Sequence, residues 1–107
     1  MKHIYDKLIR DKIPEIILST NKKPIIHIEK GINLKNRLFE KLIEELEEFK
    51  ENPCKEEMAD MLEVIYALGE IYNFSESEVE KIRIKKNNSR GGFKKGIILE
   101  SVEDWKY

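Results

Sequence analysis

LKNRLFEKLIEELEEFK, residues 34–50, and KEEMADMLEVIYALGEIY, residues 55–72, are the two stretches on which the chain is organised. They are separated by Asn52-Pro53, a break that a helix does not cross easily because proline lacks an amide donor and restricts the residue before it. At about 100° per residue, Leu34, Leu38, Leu42, Leu46 and Phe49 share one face of the first helix, widened by Phe39 and Ile43. Glu45 falls between Leu34 and Leu38 on that wheel, and Glu48 stands roughly 60° away at its border. On the second helix the apolar arc holds Met61, Val64, Ile65, Leu68, Ile71 and Tyr72. Glu57 and Asp60 fall inside it.

Acids on a face that must pack are costly unless they are paired or bind a cation. Glu44, Glu47, Glu51, Glu56, Glu63 and Glu70 fall at the rim or on the wet side and need no special account. Antiparallel packing through a short turn points Glu45 and Glu48 at Glu57 and Asp60. Four converging carboxylates repel and raise one another's pKa, whereas a hard divalent cation, Mg²⁺ or Mn²⁺, prefers carboxylate oxygen and removes the conflict. The bland alternative is four rim acids on an ordinary charged hairpin.

The chain has 107 residues, the length of one domain, and is 40% hydrophobic and 38% charged. That composition describes a soluble, helix-rich protein. Twenty basic and 21 acidic residues leave a net charge near −1, which argues against nucleic-acid or membrane partners. No apolar run approaches a membrane span, and no signal-peptide core opens the chain. A single cysteine, Cys54, excludes an internal disulfide and fits a reducing, cytoplasmic location. As a nucleophile Cys54 is poor: it follows Pro53 in the expected turn, with no histidine nearby in sequence.

Outside the hairpin, Asp11 can cap a short helix whose first turn contains Pro14, with Ile13, Ile16 and Ile17 as its apolar stripe. Lys7, Arg10 and Lys12 crowd its start, either as solvated surface charge or as phosphate ligands. IIHIE at 25–29, ended by Gly31, and GIILESV at 96–102 are rich in β-branched residues and read as two strands that pair into a small ribbon. His27, with isoleucine on both sides, reads as a strand residue rather than a base. Ser75 and Glu78 form a capping box for a helix from Val79 to about Asn88. Arg90-Gly-Gly follows, with Lys86, Lys94 and Lys95 close by; the glycines suit a helix C-cap and a phosphate cradle nearly equally.

Three chemistries use carboxylates on helices. A di-iron bundle wants Glu-x-x-His motifs, but His3 and His27 both lie outside the hairpin. Glycoside hydrolysis needs two acids flanking a sugar cleft, which a small hairpin does not offer. Metal-assisted phosphoryl transfer fits best, because the chain supplies both a cluster of acids for Mg²⁺ and basic groups for phosphate.

Glu44-Glu-Leu-Glu-Glu48 followed by Glu57-Met-Ala-Asp60 resembles the E-E-x-x-E … E-x-x-D signature of the MazG-like all-α nucleoside triphosphate pyrophosphohydrolases, relatives of the phosphoribosyl-ATP pyrophosphohydrolases. Lys7-Leu-Ile-Arg-Asp-Lys-Ile-Pro14 and Arg90-Gly-Gly-Phe93 with Ile97-Ile-Leu-Glu100 are similar to the ends of a small single-domain, house-cleaning branch. The resemblance thus covers nearly the whole chain. One departure is the spacer: only eight residues separate Glu48 from Glu57, fewer than usual in that superfamily.

The resemblance implies one mainly α domain over residues 1–107, a MazG-like four-helix architecture on the acidic hairpin with the small β ribbon beside it. It implies Mg²⁺-dependent cleavage of a nucleoside triphosphate between its α- and β-phosphates. Glu45, Glu48, Glu57 and Asp60 are then the metal ligands, and Glu44, with Glu48, the group that handles the attacking water. Arg10, Lys12, Lys86 and Arg90 are the candidate phosphate ligands. Apolar surface left over by so small a hairpin leads to the expectation of a homodimer or homotetramer. The rival from another class is a non-catalytic helical interaction module on the same fold. Base, sugar and the acceptance of diphosphates are not legible.

Overall fold

A computed structural model describes residues 2–105, and the chain divides between Ser75 and Glu76 into two compact units. The first unit holds α1 (Ile13–Ser19), α2 (Gly31–Glu51) and α3 (Lys55–Ile71), and the second holds α4 (Glu76–Arg90). The last two residues of the tail, Lys106 and Tyr107, lie outside the described residues, as does Met1.

The hairpin of α2 and α3 is the centre of the first unit. α2 is 21 residues long, about 31 Å at 1.5 Å per residue. It ends where expected: Asn52 leaves helical geometry at φ −138°, ψ 77°, as a residue before proline tends to, while its amide still donates to Glu48 O at 2.9 Å. Cys54, extended, then precedes α3. With only residues 52–54 between them, the two helices are antiparallel neighbours. At the far end of α3 the Asn73 amide donates to Glu70 O and the Phe74 amide to Gly69 O at 2.8 Å. Asn73 sits at φ +58°, so the two bonds make a Schellman cap with asparagine in the left-handed position. Phe74 then stacks on Tyr72, ring centroids 5.6 Å apart.

Leu38 of α2 and Val64 and Leu68 of α3 are buried, with Leu8, Leu34, Leu42, Ala67 and Ile71 packed around them. Leu8 brings the N-terminal segment onto the hairpin. The core is small, and the other side of the hairpin stays open: Phe39, Ile43 and Leu46 on α2 and Met58, Leu62 and Ile65 on α3 are exposed.

Three expectations about local structure are corrected. First, no strand forms among the described residues, so the β ribbon is absent. Residues 25, 26 and 28 and residues 97–99 and 102 expose their apolar side chains instead. β-branched composition records a fit to a pleated, half-buried surface, and two short strands without such a surface are marginal. Second, Gly31 opens α2 rather than ending a strand; its φ of +61° is one that glycine adopts readily. Third, α1 begins after Lys12, not after an Asp11 cap, although Pro14 does sit in its first turn. In the second unit α4 starts at Glu76, directly after Ser75, and runs to Arg90, longer than the sequence pattern alone suggested. Among the described residues no helix is long and apolar enough to cross a membrane.

Candidate active site

The antiparallel hairpin does to the acids what their register demands. Glu45 on α2 and Glu57 and Asp60 on α3 each place a carboxylate oxygen within 4.8 Å of the other two. Glu45 is only 6% exposed, the buried charged residue among those described. One oxygen of Glu45 and one of Glu57, Oε2 in both, are buried without a hydrogen-bond partner. Such atoms are costly in a native interior. Burial pushes the Glu57 carboxyl above its ordinary value, and the charges of Glu48, Glu45 and Asp60 and a hydrogen bond with Glu45 push it the same way. Glu48 is exposed and stands outside the trio, yet close enough for its charge to act on Glu57.

The donor set suits a hard cation. Mg²⁺ takes oxygen ligands at about 2.0–2.1 Å and favours carboxylates, the donor type that all three residues offer. The two orphaned oxygens are the atoms such an ion would satisfy. Glu45, Glu57 and Asp60 therefore form an acidic group able to hold a metal ion.

Three cations pair with acids in or beside the cluster. Lys41, one turn before Glu45 on α2, reaches Glu45 Oε1 at 3.3 Å and Glu44 Oε1 at 3.4 Å. Lys7 also reaches Glu44 Oε1, at 3.3 Å. Arg10 Nη2 donates to Asp60 Oδ1 at 2.7 Å. Of the four candidate phosphate ligands, the structure thus brings Arg10 to the acids; Lys12 is exposed beside α1, and Lys86 and Arg90 lie one turn apart on α4 in the second unit. Gly91, at φ +84° with its amide on Asn87 O at 2.9 Å, acts as the C-cap of α4, the plainer of its two readings.

Lys41 is the site residue that sequence reasoning missed, and Lys7, read with Arg10 and Lys12 as surface charge or a phosphate ligand, instead pairs with Glu44. Lys41 had a signal, its i,i+4 spacing to Glu45. The partner of Lys7 had no local signal, because it depends on the path of the N-terminal segment. A second network escaped notice as well. Arg37 Nε donates to both oxygens of Glu29, at 3.0 and 3.2 Å, while Nη1 donates to Asp6 O and Nη2 to Asp6 Oδ1. Arg37 thereby clamps two flanking segments to α2 at an open, polar cleft of about 440 Å³.

A family model described as dUTPase matches residues 8–91, which spans α1 to α4. The chain belongs to this dUTPase family. No curated protein and no solved structure matches it. The match overturns the MazG-like assignment drawn from the acid signature. The physical reason is that two i,i+3 acid pairs on facing helices describe a local device for gathering carboxylates. Such a device specifies a site better than it specifies a lineage. The broader chemistry stands: a dUTPase is a nucleoside triphosphate pyrophosphohydrolase, a hydrolase of phosphoric anhydride bonds. The dUTPase match covers Lys7's neighbour Leu8 through Gly91, so the acids, Arg10, Lys12, Lys86 and Arg90 all fall inside it.

Proposed function

We propose that this chain hydrolyses a nucleoside triphosphate between its α- and β-phosphates, giving the monophosphate and pyrophosphate, with dUTP as the first substrate to consider. The observation that carries the proposal is the meeting of Glu45, Glu57 and Asp60 with two buried, unpartnered oxygens, in a chain that a dUTPase family model matches.

In this reading Glu45, Glu57 and Asp60 hold Mg²⁺ or Mn²⁺, and Glu48 completes the set from the rim. When bound, the ion supplies positive charge to the phosphate oxygens and makes nearby water a better nucleophile. Glu44, held by Lys7 and Lys41, orients the attacking water and accepts its proton; Glu48, one turn further along α2, shares that task. The water oxygen bonds to phosphorus, the bridging P–O bond breaks, and pyrophosphate leaves with the bond's electron pair. Arg10 and Lys12 of the first unit are the proposed groups for the negative charge of the phosphates, and Lys86 and Arg90 are the phosphate-binding candidates of the second unit. The exposed row of Phe39, Ile43, Leu46, Met58, Leu62 and Ile65 supports a homodimer or homotetramer in which hairpins pair into a helical bundle.

The test is a panel of nucleoside tri- and diphosphates incubated with the chain and Mg²⁺, the products read by phosphorus NMR. The expected result is pyrophosphate and monophosphate from dUTP. Orthophosphate as the first product, or no turnover of any nucleotide, would contradict the proposal.

A further inference from the structure

We propose that Arg10 is the resting counter-ion of Asp60, that a divalent cation displaces it, and that the displaced guanidinium then serves the phosphates. This inference rests on the metal reading above and adds an order of events to it.

Three observations point this way. Asp60 has one carboxylate to offer, and two cations have a claim on it: Arg10 Nη2 is already on Oδ1 at 2.7 Å, while Asp60 also belongs to the trio that converges on the candidate ion. An ion drawing on the same carboxylate weakens the guanidinium's hold by competition and by repulsion.

The second observation is freedom of movement. The Arg10 side chain is 57% exposed and that of Asp60 39%, so the pair is held by little besides its own contact. The backbone of Arg10 is fixed on both sides, by Leu8 on the hairpin core and by the Ile13 amide on Arg10 O at 3.1 Å. The side chain can therefore turn from the acid without moving its anchor. Lys41 differs: it lies on the same helix as its two acids, is 17% exposed, and divides its ammonium between them.

The third is charge. Once Glu57 is ionised, the five carboxylates Glu44, Glu45, Glu48, Glu57 and Asp60 outnumber by two the cations Lys7, Lys41 and Arg10 that pair with Glu44, Glu45 and Asp60. One divalent ion balances the excess. An arriving phosphate chain then brings new negative charge, and Arg10, no longer needed at Asp60, can meet it with a planar, two-pronged donor.

The account fixes the sign of an effect. If Arg10 competes with the ion, its removal strengthens metal binding; if it merely orients Asp60 for the ion, its removal weakens it. The experiment is Mn²⁺ binding, followed by the electron-spin resonance of the unbound ion, for the wild type, R10A, R10Q and R10K, with circular dichroism to establish folding. R10Q keeps most of the stem without the charge and reads the same quantity if R10A is poorly folded. We expect R10A and R10Q to bind Mn²⁺ about two- to five-fold more tightly, the range of an exposed ion pair, and R10K to stay near the wild type. Titration of inorganic pyrophosphate into the Mn²⁺-loaded chains should show the reverse order, with R10A weaker by about ten-fold or more. Unchanged or weaker Mn²⁺ binding by R10A and R10Q, or unchanged pyrophosphate binding, would overturn the exchange while leaving the metal site intact. A wild type that binds no Mn²⁺ would instead overturn the metal reading itself.

Discussion

Glu45 on α2 and Glu57 on α3 face one another across the hairpin, and each holds an Oε2 that is buried and has no hydrogen-bond partner. The turn at residues 52–54 sets this relationship, because it decides how far α3 slides along α2. Two acids so placed oppose folding of the ion-free chain. Their arrangement is that of an acidic group able to hold a cation.

The first consequence is a pH dependence. Glu57, held above its ordinary value of 4.5, keeps a proton in the folded chain at pH values where the unfolded chain has lost it. The folded state then binds more protons, so stability falls as pH rises. In chelator, the contribution of Glu57 is complete below about pH 4.5 and is lost as pH rises through the raised folded value. Denaturation over this window should show that decline, and E57Q should flatten it. A wild-type stability that climbs through the same window with E57Q unchanged would contradict the assignment.

Cation choice is the second. Hydrolysis should require a divalent ion, with Mg²⁺ or Mn²⁺ effective and Ca²⁺ poor, because calcium's longer bonds and variable coordination hold water less well for attack. Initial rates with each ion after exhaustive chelation check this. Turnover that survives chelation would remove the metal from the mechanism.

Arg90, the last residue of α4, supplies the third. R90A should raise the nucleotide KM about ten-fold, the loss of one charge-assisted contact, and leave Mn²⁺ binding nearly unchanged. Collapse of the helical signal instead would make Arg90 a structural residue at the end of α4.

The hairpin was legible in sequence because its leucines keep helical period and Asn52-Pro53 interrupts them. Glu45 and Glu57 were legible because each falls inside an apolar arc. Local patterns did not reach the Arg10–Asp60 pair, fifty residues apart, which depends on how the N-terminal segment crosses the hairpin. They misled at residues 25–29 and 97–102, where isoleucine implied strands but no sheet surface exists to receive them. The acid spacing led to nucleotide pyrophosphohydrolysis, the coarse chemistry that the dUTPase family shares, and misnamed the family.

Thermal melts of the wild type and D60N, each with Mg²⁺ and with chelator, test the central claim most directly. Asn keeps the shape of Asp60 and removes one charge from the cluster. The lost Arg10 contact is exposed and worth about 0.2–1 kcal/mol, which relief of repulsion among the acids offsets. D60N in chelator should therefore melt at or above the wild type. Mg²⁺ at ten times its Kd should stabilise the wild type by about 1.4 kcal/mol, several degrees for a small domain, and D60N far less. A D60N that melts well below the wild type in chelator, with neither protein stabilised by Mg²⁺, would show that Asp60 is a structural partner of Arg10 and that the acids were not gathered for a metal.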